Sequence, residues 1–281
     1  MKTLLIVATI FVSCAAVALA ANVTVVIKEW EVPTPSSHPH DPAVAPDGAA
    51  WYTGQNANTL GRFDPVTGQF KEYQLPTPGS GPHGLVADRE GNIWYTGNRA
   101  AHIGRLDVKT GEVKEYPMPN SAASGPHTPI FDKKGILWFT VQSGSMVGRL
   151  DPATGEVRLK AVPTPNASPY GIVIDSKGIP WFSEFTANKI GRIDPVSMEI
   201  KEYLLPASNA RPRRIAVTSD DMIWYTDYTR GFLGRLDPTT GEVKEWQSPG
   251  GGRAQPYGMA ATPDDIIWYS EAGVRPNTLV R

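Results

Sequence analysis

Apolar and polar positions alternate in short runs of four or five residues along most of the chain, and each run stops at a turn signal. Residues 82–117 show the pattern once. Gly84 to Ala87, Ile93 to Thr96, His102 to Leu106 and Val113 to Tyr116 are the apolar-rich runs, with an Asp-x-x-Gly turn before the second and Thr-Gly before the fourth. Period-two alternation bounded by such turns predicts four short strands in an antiparallel meander. Beyond residue 20 no stretch carries the 3.6-residue period of an amphipathic helix.

The meander repeats. Trp51, Trp94, Trp138, Trp181, Trp224 and Trp268 follow one another at 43 or 44 residues. Eleven residues before each lies a position that directly follows a proline: His40, His83, His127, Tyr170, Arg213 and Tyr257. Eleven residues after the first five tryptophans come Arg62, Arg105, Arg149, Arg192 and Arg235, each preceded by glycine. About four strands per repeat at this period is the sequence form of a β-propeller, an all-β fold. The chain stops at Arg281, after the third strand of the sixth repeat, whereas an unpartnered outer-strand copy, Lys28-Glu29-Trp30, precedes the first. Two closures follow: six four-stranded repeats completed by the N-terminal strand, or a gapped or truncated seven-bladed ring.

Residues 1–20 are different in kind. Lys2 precedes a mostly apolar run from Leu4 to Val17, and Ala18-Leu19-Ala20 supplies small residues at a cleavage site. This predicts a secretory signal and a single propeller domain over 21–281, secreted or periplasmic. The apolar run is too short, and polar sequence follows too soon, for a membrane span. Cys14, the sole cysteine, falls inside the signal, so the mature chain has no disulfide and no thiol nucleophile. Net charge is −1 without a run of one sign, which excludes the basic footprint of a nucleic-acid binder. A monomer that takes a small molecule or peptide at the channel mouth is the expectation.

The innermost strand of each blade lines the channel of a propeller, so the residue after each proline belongs to a ring around one mouth. The residue three after each tryptophan is expected to form a second ring beside it: Gly54, Gly97, Val141, Glu184, Asp227 and Glu271. Positions that vary while the framework holds are where a site is sought. Histidines come from the first three blades and acids from the last three. Imidazole and carboxylate can bind a divalent metal or act as base and orienting partner. His40, His83, His127 and Tyr257 are the catalytic candidates, Glu271, Glu184 and Asp227 the metal ligands, and Tyr170, Arg213 and Gln255 the substrate contacts.

The unit Pro-His-Gly-Leu-Val, Gly-Asn-Ile-Trp-Tyr-Thr-Gly, Ile-Gly-Arg-Leu-Asp at 82–107 resembles the repeat of the streptogramin B lyases, also called virginiamycin B lyases. The resemblance extends over essentially the whole mature chain. It implies an enzyme that opens a cyclic depsipeptide by elimination, with Mg²⁺ at the mouth of a seven-bladed channel. Aligned from the C-terminus, the family's Glu-Pro-His in the last blade stands here as Gln255-Pro256-Tyr257, and the histidine of the preceding blade as Arg213. Glu271 matches one of the family's acids. Three readings stay open: a metal-dependent C–O lyase on a cyclic ester, a non-catalytic ligand-binding propeller of the cell envelope, and a lactonase-like hydrolase.

Overall fold

A computed structural model describes residues 27–281. The signal expected over residues 1–20 lies outside the described residues. Ile27 to Glu31 belong to a unit separate from residues 32–281. In it Lys28 Nζ sits 4.5 Å over the Trp30 ring, and Lys28-Glu29-Trp30, expected as a closing strand, carries no strand.

Val32 to Arg281 forms a six-bladed β-propeller. The first blade consists of Pro39–Val44, Ala50–Gly54, Thr59–Phe63 and Phe70–Gln74, in sequence order across the sheet and antiparallel throughout. Blades two to five repeat it from Pro82–Ala87, Pro126–Phe131, Pro169–Ile174 and Pro212–Val217. The sixth sheet has three strands, Pro256–Ala261, Ile267–Glu271 and Thr278–Val280. Among the described residues no helix is long and apolar enough to cross a membrane.

Each recurring residue has a mechanical task. The aspartate of the Asp-x-x-Gly turn accepts turn amides through one oxygen, as Asp88 does from Glu90 and Asn92 at 3.1 and 2.8 Å. Its other oxygen accepts the indole N–H of Trp94 at 3.0 Å. The third-strand arginine then lies over that indole, 5.9 Å for Arg105 on Trp94 and 5.7 Å for Arg192 on Trp181. The preceding glycine makes room for the aromatic ring beside the tryptophan. A Cβ on Gly104 would sit 2.1 Å from the Tyr95 ring. The glutamate of the Lys-Glu pair is an internal acceptor as well as an edge charge, since Glu115 takes Tyr95 Oη at 3.2 Å and Thr77 Oγ1 at 2.6 Å.

Strand parity gives each blade two unlike faces. Trp51 and Leu60 of blade one pack against Leu85, Ile93, Tyr95 and Leu106 of blade two. The same union of a tryptophan face with a tyrosine or phenylalanine face joins blades two to six in succession. Burying each indole contributes about 2–3 kcal/mol. A second latch lies nearer the axis. The Thr or Ser two after each tryptophan donates to the first-strand carbonyl of the next blade: Thr53 to His83, Thr96 to His127, Thr140 to Tyr170, Ser183 to Arg213 and Thr226 to Tyr257, at 2.7–3.3 Å.

The sixth junction is built differently. Among the described residues the Ser270 hydroxyl, at the latch position, accepts only from Gly258 of its own blade, at 3.0 Å. No apolar cluster joins blade six to blade one among the described residues, and Val44 and Leu279 on the facing sides are 73% and 57% exposed. A cavity of about 560 Å³ lies between them, walled by Pro42 on one side and Met259, Trp268 and Leu279 on the other. Among the described residues the two halves of an ordinary seam thus face each other without an apolar contact that closes them.

Candidate functional site

The site begins with a backbone irregularity. In blade one Pro39 pairs with Gly54 and Pro42 with Tyr52, three residues against two. The same shift follows Pro82, Pro169, Pro212 and Pro256. Such a bulge turns two consecutive side chains toward one side. It brings not only the residue after the proline but also the next one into the channel. Where the next residue is glycine the strands come close: a Cβ on Gly84 would lie 2.1 Å from the His127 carbonyl oxygen.

The outer layer is a ladder of rings. His40 and His83 have centroids 3.9 Å apart, His83 and His127 3.9 Å, and His127 and Tyr170 4.0 Å. Tyr170 Oη meets Tyr257 Oη at 3.1 Å. The Arg213 guanidinium carbon lies 5.0 Å from the Tyr170 centroid and 4.2 Å from that of Tyr257. All six side chains expected in the first ring are therefore neighbours.

One residue further on, Arg214 reaches across the channel. Its Nη2 donates to Asp41 Oδ1 at 2.7 Å and its Nη1 to Thr128 Oγ1 at 3.4 Å. Asp41 Oδ1 also lies 2.9 Å from His40 Nδ1. Burial alone would raise the Asp41 carboxyl, but the His40 hydrogen bond and the Arg214 charge hold it well below the ordinary carboxylate range. Asp41 is thus an acceptor at neutral pH, so the His40–Asp41 hydrogen bond is donated from Nδ1 and Nε2 is the ring nitrogen it leaves free of Asp41. Burial pushes the His83 imidazole down to about 3 and the His127 imidazole well below its usual value. Both are neutral. Burial likewise keeps the Tyr170 phenol protonated far above neutral pH.

The acids of the second ring do not converge on one another; each is engaged or enclosed within its own blade. Glu271 accepts from Ser248 Oγ and from Gly250 N at 2.8 Å. Asp227 accepts the backbone N–H of Arg211 at 3.0 Å and binds Arg230 Nη1 at 3.1 Å. Glu184 is fully buried, and both of its oxygens lack a hydrogen-bond partner. Burial and the nearby Glu202 push its carboxyl up to about 8. Gln255 sits outside the ring, at φ +47°, with its carbonyl accepting from Ala272 N.

The expected ion can be tested against these donors. Three metal-capable side chains come within 4.8 Å of one another only at His40, Asp41 and His83 among the described residues. That set holds two imidazoles and one carboxylate, and the Asp41 oxygen is already engaged by a guanidinium. Mg²⁺ asks for an octahedron of oxygens, and a resident cation this close to Arg214 is repelled. The arrangement does not fit Mg²⁺.

Sequence reasoning missed Asp41 and Thr128, and it marks Arg214 only as one of the charge cluster Arg211, Arg213 and Arg214, an anion contact at the mouth or a solvated loop, not as the partner of Asp41. The signal was present: the position after the ring residue also varies from repeat to repeat, as Asp41, Gly84, Thr128, Gly171, Arg214 and Gly258. Only the bulge reveals that it faces the channel.

The sequence profile of the Virginiamycin B lyase family matches residues 13–275. A streptogramin B lyase structure is 33% identical, with a TM-score of 0.81 over 90% of this chain and 83% of its own. A catalytically inactive variant of virginiamycin B lyase from Staphylococcus aureus, solved with quinupristin, is 32% identical, with a TM-score of 0.79 over 88% of this chain and 82% of its own. A gluconolactonase from Xanthomonas campestris, at 14% identity and a TM-score of 0.59, shares the fold alone. Among curated proteins none matches.

Proposed function

The chain belongs to the virginiamycin B lyase family, and from that premise we propose that it opens a cyclic ester by elimination at the channel mouth, with His40 as base and without a metal ion in the step. The observation that carries this reading is the His40–Asp41 pair on the wall of the cavity of about 560 Å³, which Arg214 and Tyr257 also line.

In the reaction His40 Nε2 takes the proton from the carbon α to a carbonyl. The freed electron pair becomes a double bond to the β carbon, whose C–O bond breaks, and the former ester leaves as a carboxylate. Asp41 fixes the imidazole tautomer and offsets the imidazolium charge. A positioned base of this kind supplies roughly 10²–10⁴-fold. The Tyr170 and Tyr257 hydroxyls meet at the mouth, where they can donate to an oxygen that gains charge. His83 and His127, neutral and tilted ring against ring, continue the ladder beside His40. With residues 1–20 as an export signal, the protein acts outside the cytoplasm, as a monomer.

The test is incubation with a panel of cyclic depsipeptides and lactones in the presence of EDTA, followed by mass spectrometry. Ring opening without change of mass, lost in His40→Ala, supports the reading. Addition of one water identifies a hydrolase, and binding without turnover identifies a receptor.

A further inference from the structure

Arg213 is the arginine at the mouth that the protein itself leaves unanswered. Its neighbours are all engaged. Arg214 holds Asp41 and Thr128, Arg211 Nη1 donates to the Ala210 carbonyl at 2.7 Å, and Arg230 is paired with Asp227 and Glu245. Among the described residues the Arg213 guanidinium has no hydrogen bond or ion pair, and its Nε is buried without a partner. What surrounds it is aromatic. Tyr228 and Tyr257 lie 4.3 and 4.2 Å from its central carbon, and Tyr170 and Phe185 lie 5.0 and 5.3 Å away. Aromatic faces stabilise the charge and hold the plane, but they accept none of its in-plane N–H donors.

A guanidinium fixed in position with free donors is a prepared receptor for a planar oxyanion, because the bidentate pairing satisfies donors that are otherwise left unmet. The acids within reach do not serve. Asp227 is committed to Arg230 and to backbone amides, and Asp41 to Arg214 and His40. Arg213 and Arg214 together with Asp41 leave a net single positive charge at the mouth, which suits a monoanion better than a phosphate dianion. Phe185 and Tyr228 offer apolar surface to whatever the anion is attached to.

We propose that Arg213 is a binding residue for the carboxylate of an organic ligand, seated in the box of Tyr170, Phe185, Tyr228 and Tyr257. This rests on the proposed elimination only in giving the carboxylate a natural source, the acid released when the ester opens. The binding itself requires no turnover.

The experiment is titration of the full mature chain with hippurate, its neutral amide hippuramide, and inorganic phosphate, followed by calorimetry. Hippurate binding that weakens about ten- to a hundredfold in Arg213→Met, and less in Arg213→Lys, supports the proposal, provided thermal melting shows both variants folded. If Arg213→Met fails to fold, Tyr228→Ala serves instead, since it opens the box while leaving the charge. Equal affinity for hippurate and hippuramide, preference for phosphate, no binding at all, or binding indifferent to these substitutions would overturn it. Because hippurate is not a substrate for ring opening, a failed lyase assay and a failed titration remain separate results.

Discussion

Replacing Asp41 by Asn isolates the electrostatic centre of the channel. The carboxylate is 13% exposed and its partner Arg214 17%, and the pair spans the channel from blade five to blade one. Asn keeps the shape and one acceptor but removes the charge, leaving a buried guanidinium without a counter-ion. Breaking a buried pair in this way costs about 3–5 kcal/mol, with the retained acceptor placing this case near the lower end. For a propeller of this size 1 kcal/mol corresponds to about 2–4 °C, so melting should fall by about 10 °C at pH 7. The sign with pH follows from the depressed carboxyl. Its stabilisation is complete above the unfolded value of 3.8 and is lost as pH falls further toward the lower folded value. Wild type and Asp41→Asn should therefore differ fully at pH 7 and converge below pH 4, measured by urea unfolding across that range. A combined Asp41→Asn, Arg214→Met protein should recover part of the loss. Equal stability at pH 7, or a difference unchanged at pH 3, would refute the assignment of Asp41 and Arg214 as the channel's ion pair.

Glu184, pushed up to about 8, carries the opposite sign. Its contribution is complete below the ordinary value of 4.5 and is lost as pH rises through about 8, so Glu184→Gln should match wild type at pH 4 and exceed it by about 2–4 kcal/mol at pH 9 in chemical unfolding. Thr140→Val removes a buried donor to Tyr170 and an acceptor for Thr128 N, and should cost about 1–3 kcal/mol. Ser270→Ala, at the same repeat position but without a bond to another blade, should cost about 1 kcal/mol or less; similar losses at both sites would contradict the open sixth junction. N-terminal sequencing of protein recovered from the medium or periplasm should begin at Ala21.

The fold was legible because its framework residues recur with fixed spacing and each repeat needs them for the same contacts. Trp94, Asp88, Gly104 and Arg105 form one interlocked unit, which recurs in full at Trp138 and Trp181 and in part in the other blades. The ring of His40 to Tyr257 was legible for a related reason, since a proline marks the start of each inner strand. The acids were misplaced by parity. Trp181 and Ser183 share one face of the sheet and Phe182 and Glu184 the other, so Glu184 lies beside Lys189 and Glu202 of its own blade instead of meeting the other acids. Asp41, and with it the pairing to Arg214, was hidden because period-two reading assigns the residue away from the channel, and one extra residue in a bulge reverses that. The open junction depends on closure geometry around the whole ring, which no single repeat encodes.

The most direct test of the account is the fate of a cyclic depsipeptide incubated with the enzyme in EDTA and followed by mass spectrometry, with Asp41→Asn and His40→Ala beside wild type. The account predicts a linear product of unchanged mass from wild type, formed about 10²–10⁴-fold more slowly by His40→Ala. A product one water heavier, activity that EDTA abolishes, or a rate indifferent to His40 would contradict it.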